Sequence, residues 1–245
     1  MKENETFSRY EFKYLLNNNL SKLIEDEAKH FMSLDDFANK LPSKSYFVRS
    51  LYFDNRSFTN FFEKVDGIKT RKKYRLRTYS KKLEDNSPIY LETKGRNLER
   101  TFKKRVKINK KETNYFIDPS VNTELIKKYP QNELINNFVF DTMKKNLIPT
   151  VLIDYNRKPY VNNHGLYFRL TFDSQLRSSR SNKLFLNNNM TLECNSGYTI
   201  LEVKFHRSIP AWFHRIIQCY NLRRRSISKF VIGICSCKLE SETSD

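Results

Sequence analysis

A chain of 245 residues can bury a sizeable core without disulfide or metal staples, as one large domain or two small ones. Its 45 Lys and Arg against 27 Asp and Glu leave a net charge of +18, a field that favours polyanions: nucleic acid, phosphates or an anionic surface. Only 5 glycines, with no GxxxxGK followed by Ser or Thr and no GxGxxG, exclude glycine-rich architectures and the usual P-loop route to ATP, and no apolar run approaches the roughly 20 residues of a membrane span.

The polar residues 1–6 and the charged stretch after them predict no secretory leader. FSRYEFKY (residues 7–14) alternates and predicts a short strand. Leu16, Leu20, Leu23, Ile24, Ala28 and Phe31 recur at helical spacing and predict an amphipathic helix over residues 15–32. Pro42 and Ser43 mark a turn, and YFVRSLYFD (46–54) is rich in β formers. Residues 55–65 predict a short helix ended by the turn signal Asp66-Gly67. Three strands follow: KYRLRTY (73–79), IYLETK (89–94) after a polar turn at 85–88 and closed by Gly95, and FKKRVKI (102–108). Residues 120–146 are expected to be helical, interrupted at Pro130. Strands are predicted at 150–160, 166–173, 198–205 and 227–234. A helix over 210–220 has proline at its favoured first position.

The four cysteines, Cys194, Cys219, Cys235 and Cys237, lack zinc spacing. Cys235 and Cys237 alternate on the last predicted strand, and all four are read as reduced buried thiols of a cytoplasmic protein. With about eight strands, mostly short connections and no regular helix alternation, the pattern predicts α+β: a mainly antiparallel barrel with added helices in a single domain over residues 1–245.

Alternate residues of a strand share a face. Lys73, Arg75, Arg77 and Tyr79 therefore align, as do Tyr90, Glu92 and Lys94, and Lys103, Arg105 and Lys107. Glu11 aligns with Lys13, Tyr155 with Arg157, Arg169 with Asp173, and Glu202 with Lys204. The opposite faces carry large apolar groups: Phe7, Phe12, Phe47, Phe53, Leu76, Leu91, Phe168 and Phe172. These would pack outward against helices and turn the charged faces into the lumen of a closed sheet, which at eight strands has room for one slender ligand. Cations crowded there need an anion, and a linear polyphosphate supplies one, gripped by guanidinium forks. Glu11, Glu92 and Glu202 among the cations suit a divalent metal shared with phosphate.

Taken together, RYEFKY, VRSLYFDN, KYRLRTY, YLETKGR, FKKRV, DYNRKPY, FRLTFD, ILEVKF and SKF, in that order over nearly the whole chain, resemble the VTC domain, the polyphosphate polymerase branch of the triphosphate tunnel metalloenzymes. The resemblance implies an eight-stranded antiparallel tunnel barrel with flanking helices. It also implies transfer of the ATP γ-phosphate to a growing polyphosphate chain, with ATP, pyrophosphate and inorganic polyphosphate as partners and no nucleic acid. A membrane-protein companion for polyphosphate transfer is compatible with it. By position, it assigns phosphate contacts to Lys13, Arg75, Arg77, Lys94, Lys103, Arg157, Arg169 and Lys229, with Arg105 beside Lys103 and hydrogen bonds from Tyr155 and Ser228. Arg75, Arg77, Lys229 and Lys13 would act on the transferring phosphoryl group. Glu202, with Glu11, would hold Mn²⁺ or Mg²⁺.

Two departures qualify the resemblance. Arg9 stands where hydrolase relatives carry the first carboxylate of an ExExK strand, which favours the polymerase branch. Ser226 replaces a lysine common before the SK pair. A tunnel hydrolase of inorganic or nucleoside triphosphates, or a non-catalytic polyphosphate-binding module, remains the alternative. His206 and His214 read as surface residues, Trp212 as a packing anchor and Arg223–Arg225 as a solvated patch.

Overall fold

The computed structural model describes residues 10–83, 88–98, 100–162, 167–186 and 191–243. Phe7 and Arg9, the start of the first predicted strand, and most of the polar turn at 85–88 lie outside them. In chain order the elements are β1 (Tyr10–Asn17), α1 (Asn18–Ala28), β2 (Met32–Leu34), α2 (Asp36–Asn39), β3 (Tyr46–Asp54), α3 (Thr59–Val65), β4 (Arg71–Thr78), β5 (Ile89–Asn97) and β6 (Arg100–Ile108). Then follow α4 (Thr113–Ile117), α5 (Glu124–Lys128), α6 (Glu133–Lys145), β7 (Ile148–Asn162), β8 (Phe168–Arg180), β9 (Leu192–Glu193), β10 (Tyr198–Phe205), α7 (Ala211–Cys219) and α8 (Lys229–Ser236). The strands are hydrogen-bonded in the order β1-β10-β8-β7-β3-β4-β5-β6, with β2 beside β7 and β9 beside β8. This is the eight-stranded antiparallel arrangement with flanking helices that the sequence predicts.

The chain forms two compact units, and the long strands β7 and β8 contribute to each. In the first unit (Met1–Phe47, Tyr155–Leu176, Asn195–Ser228), Tyr14 and Leu16 of β1, Phe168, Leu170 and Phe172 of β8 and Leu201 and Val203 of β10 share one face. They are buried against Ile24 and Ala28 of α1 and Phe213 and Ile216 of α7. Trp212 anchors this core, stacked on Phe31 with ring centroids 4.7 Å apart. Pro210 caps α7 rather than opening it.

In the second unit (Val48–Asp154, Arg177–Cys194, Lys229–Asp245), Leu51, Phe53, Tyr74, Leu76, Ile89 and Leu91 meet Phe116 of α4, Leu125 of α5 and Ile135, Phe138 and Val139 of α6. Tyr74 donates a 2.5 Å hydrogen bond to Asp141, which ties α6 to β4. In both units the apolar strand face is the helix-bearing one, as alternation requires.

Three expectations are corrected. Residues 227–234 do not form a strand: Lys229–Ser236 is helical, and the burial of Lys229, Phe230, Gly233 and Ile234 follows the helical period. β-branched residues suggest a strand only when one face is half-buried, whereas this segment is pressed against β7, where a Cβ on Gly233 would come within 2.8 Å of Ile153 Cδ1. With the strand goes the shared face of Cys235 and Cys237. All four thiols are free, but Cys219 and Cys235 are exposed rather than buried. Gly95 does not end β5; it lies inside it, where the Phe102 ring occupies the space of a side chain, 2.3 Å from the Cβ position. No described helix is long and apolar enough to cross a membrane.

Asp54, at the end of β3, caps α3 across a left-handed Phe58. Its carboxylate accepts the backbone N–H groups of Asn55 (2.9 Å), Asn60 (2.9 Å) and Phe61 (3.0 Å). Burial raises its pKa from 3.8 to about 6, more than those bonds lower it. The folded state therefore binds this proton more tightly than the unfolded one. The resulting stabilisation is full below 3.8 and is lost as pH rises through about 6. Denaturant unfolding between pH 4 and 7 is expected to show this slope, and Asp54→Asn to flatten it. Asp54→Ala, which strips three backbone donors of their acceptor, two of them buried, is expected to cost about 3 kcal/mol.

Candidate functional site

The faces turned away from the two cores carry the charge. In the second unit the register sets Tyr52 opposite Arg75, Arg75 opposite Glu92 and Glu92 opposite Arg105. Beside that row, Lys73 faces Lys94 and Lys94 faces Lys103, while Ser50, Arg77, Tyr90 and Lys107 form a third row. Like charges opposite one another destabilise a sheet unless something neutralises them.

Glu92 is the hub. Its Oε2 accepts from Arg75 Nε at 2.8 Å and Nη2 at 2.6 Å, and Arg77 Nη1 lies 3.6 Å away. Lys103 Nζ lies 2.7 Å from Oε1. The Glu92 side chain is only 2% exposed. Burial works to raise its pKa, but Arg75, Arg77 and Lys103 outweigh that and hold the carboxyl well below the usual range. Arg75 also donates to the Tyr52 hydroxyl at 2.7 Å, and Arg77 Nε to Ser50 Oγ at 3.1 Å. Burial would raise the Tyr52 phenol, but Arg75, Arg77 and Lys229 together bring it below its ordinary 10.0. α8 packs on this charged side. Phe230 lies 5.2 Å from the Tyr52 ring, and the Lys73 ammonium sits 5.0 Å from the Phe230 centroid.

In the first unit, Lys13 lies opposite Glu202 and Glu11 opposite Lys204. The Lys13 ammonium is 3.2 Å from Glu11 and 3.8 Å from Glu202, and donates to the Ile227 carbonyl at 2.9 Å. Lys204 reaches Glu202 at 3.0 Å. Arg157 grips Asp173 with two bonds of 2.6 Å, lies 3.4 Å from Glu202 and spreads over the Tyr155 ring at 5.3 Å. Burial disfavours the Arg157 charge, but Asp173, Tyr155 and Glu202 more than offset it, so its pKa stands above the ordinary value. Burial lowers the Lys204 pKa, and Glu202 only partly restores it.

Of the residues proposed from sequence, Arg75, Arg77 and Lys103 converge on one carboxylate, with Lys94 in the adjacent row. Arg105 instead lies over the Tyr90 ring at 5.0 Å. Lys13, Glu11, Glu202, Arg157 and Tyr155 assemble in the first unit, whereas Arg169 turns to Asp35 at 3.3 Å. Lys229 opens α8 and is buried, with Ser228 just before it. Sequence reading placed Glu92, Asp173 and Lys204 on the charged faces without their cross-strand partners, and passed over Tyr52, whose place on the charged parity of β3 is the signal that could have found it. Of the residues set aside, His206 and His214 are exposed, His206 stacked on Tyr167 at 4.6 Å, and Arg224 of the exposed basic run lies over Phe12 at 4.3 Å.

The sequence matches the family model of the VTC domain over residues 8–238. The chain belongs to the VTC domain family. In fold this VTC domain is similar to a candidate adenylate cyclase of Bacillus halodurans, at 10% identity and a TM-score of 0.51, over 90% of this chain and 95% of that one. It is likewise similar to a candidate adenylyl cyclase of Hippeastrum, described as having a dominant triphosphatase activity, at 13% identity and a TM-score of 0.52, over 94% of this chain and 96% of that one. These likenesses are of fold. A sequence comparison with curated proteins finds no match.

Among the described residues, no cluster of three or more His, Cys, Asp or Glu has a metal-ligating arrangement. Glu11 and Glu202 nevertheless share one cation, the Lys13 ammonium. Two carboxylates fit a hard divalent ion whose remaining ligands are phosphate oxygens and water. Glu92 fits that role less well, because Arg75 and Lys103 hold its two oxygens at 2.6 and 2.7 Å, whereas Lys13 lies 3.8 Å from Glu202 Oε1.

Burial lowers the Lys103 pKa from 10.5 to about 8; Arg75 and Arg77 push the same way and Glu92 opposes them, with Lys94 directly across the strand. NMR titration of the Lys103 ammonium is expected to show its midpoint at about 8, well below a free lysine, and Glu92→Gln to lower it further.

Proposed function

We propose that this VTC domain is an ATP-dependent polyphosphate polymerase. It transfers the γ-phosphoryl group of ATP to the terminal oxygen of a growing inorganic polyphosphate chain, starting from pyrophosphate. The observation that carries the reading is the convergence of Arg75, Arg77 and Lys103 on a single buried carboxylate. Guanidinium forks and an ammonium suit the non-bridging oxygens of a phosphoryl group.

Phosphoryl transfer asks the protein for alignment and charge neutralisation, with little covalent work. The P–O bond to ADP breaks, ADP leaves with the electron pair, and a terminal phosphate oxygen forms the new bond in line. Arg75, Arg77 and Lys229 stabilise charge on the transferring group. On the second-unit face, Lys94, Lys103 and Arg105 are suited to phosphate oxygens; on the first-unit face, Lys13, Tyr155, Arg157, Arg169 and Ser228 are suited to them likewise. Glu202, with Glu11, would hold Mn²⁺ or Mg²⁺. That ion, when bound, neutralises phosphate charge.

The second reading is a hydrolase of inorganic or nucleoside triphosphates, and the triphosphatase activity described for the Hippeastrum protein favours it. The two reactions differ in nucleophile. Water needs a base, whereas a terminal phosphate arrives already anionic. In the second-unit hub the carboxylate Glu92 is held as an anion by three cations and is a poor base. That supports the polymerase.

The test is incubation of the protein with ATP, Mn²⁺ and pyrophosphate, followed by gel analysis of long chains and an assay of free phosphate. The expected result is ADP with long chains, reduced on the order of a thousandfold in Arg75→Ala/Arg77→Ala. Free phosphate without chains selects the hydrolase. Glu202→Gln is expected to raise the Mn²⁺ concentration needed for half-maximal activity, as read from a metal titration.

A further inference from the structure

The Glu92 side chain has an arrangement that phosphate binding alone does not require. A buried carboxylate on the cation-bearing face opposes any anion that comes to those cations. It lies in the middle of β5, with Arg75 opposite on one side and Arg105 on the other. Its two oxygens divide the cations: Oε2 takes the guanidinium of Arg75 and faces that of Arg77, and Oε1 takes Lys103. Arg105 is opposite in register but is placed over Tyr90, so the hub selects among the neighbouring cations.

Buried cations are costly without a partner, and a hub with several positive groups and no counter-charge would spread them apart. A phosphoryl group would offer Arg75, Arg77 and Lys103 the same kind of contact that Glu92 offers now: anionic oxygens at hydrogen-bond distance, one shared by Nε and Nη2 of Arg75 and another met by Lys103. We propose that Glu92 is a positioning residue that acts as a resident stand-in for phosphate. It holds Arg75, Arg77 and Lys103 in gripping geometry when no phosphate is bound, and it competes with phosphate for them, so that a long anionic product is held loosely enough to leave. This proposal rests on the phosphate reading above.

The consequence distinguishes this role from a purely structural one. Loss of a structural ion pair weakens binding along with the fold. Loss of a competing anion strengthens binding to whatever replaces it. Calorimetric titration of the full chain with inorganic tripolyphosphate, without nucleotide, is the measurement, paired with thermal unfolding with and without tripolyphosphate.

Wild-type protein is expected to bind tripolyphosphate, and Glu92→Gln to bind it about tenfold tighter, because a repelling charge at the contact has gone. The variant is also expected to melt earlier than wild type without anion and to gain more from its addition. Glu92→Asp is the companion should Glu92→Gln not fold. Its charge is retained but is one methylene too short to serve Arg75 and Lys103 together, and it too is expected to bind more tightly than wild type. A folded variant that binds tripolyphosphate equally or more weakly overturns the proposal and leaves the phosphate reading standing. Absence of tripolyphosphate binding by wild type overturns both.

Discussion

A cation withdrawn from water must be met by negative charge, and both charged faces of this protein are arranged around that constraint. Each arginine on those faces that leaves solvent finds a carboxylate: Arg75 and Arg77 find Glu92, and Arg157 finds Asp173. The pairings differ in balance. In the first unit Lys13, Lys204 and Arg157 share Glu11, Glu202 and Asp173, as many acids as bases. In the second unit one carboxylate serves three cations. Three cations gathered at one carboxylate suit the second hub to an incoming anion, and two carboxylates that share Lys13 suit the first to a divalent ion.

Strand alternation makes such faces possible. With every second residue of β4 apolar, Tyr74 and Leu76 go to the helices while Arg75 and Arg77 go to the other side. The helices α1 and α7 in one unit and α4, α5 and α6 in the other bury the apolar parity, so charge on the opposite parity costs the cores nothing. α8 is the exception. It packs on the charged side and brings Phe230 against Tyr52 and Lys73, which gives the cations an apolar, aromatic neighbour in place of water. Charge-assisted contacts are stronger where water is excluded.

Where local pattern decides structure, the sequence could be read. The bounds of β3 and β10 match the alternating runs at 46–54 and 198–205, and in β4 the split follows the alternation, with Tyr74 and Leu76 in the core and Arg75 and Arg77 on the other face. Two errors have a common source. Gly95 looked like a strand end and residues 227–234 looked like a strand because local propensity is blind to what lies opposite: the Phe102 ring over Gly95, and Ile153 against Gly233. The same blindness applies to the site. Alternation shows that Glu92 faces the same way as Lys94, but only the register puts it beside Arg75 and within reach of Lys103. Lys13 and Glu202 meet across almost the whole chain. No periodicity carries that information, so cations could be found from sequence while their partners could not.

Those partners bear on the chemistry as well as the fold. A carboxylate can serve phosphoryl transfer as a base, as a metal ligand or as a counter-ion, and its surroundings decide which. Glu92 cannot easily accept a proton while Arg75, Arg77 and Lys103 hold its charge, and its cations lie close against both oxygens. Counter-ion is the role that remains. Glu202 has Lys204, Arg157 and Lys13 around it, yet shares Lys13 with a second carboxylate, so a doubly charged ion could replace that lysine between the two. The division of labour between the acids follows from how firmly each is held: Arg75 and Lys103 sit 2.6 and 2.7 Å from the Glu92 oxygens, whereas Lys13 lies 3.8 Å from Glu202 and is shared with Glu11. It leaves the second-unit hub able to neutralise a phosphoryl group and poorly able to activate water, which is the combination a phosphate nucleophile needs and a hydrolytic one does not.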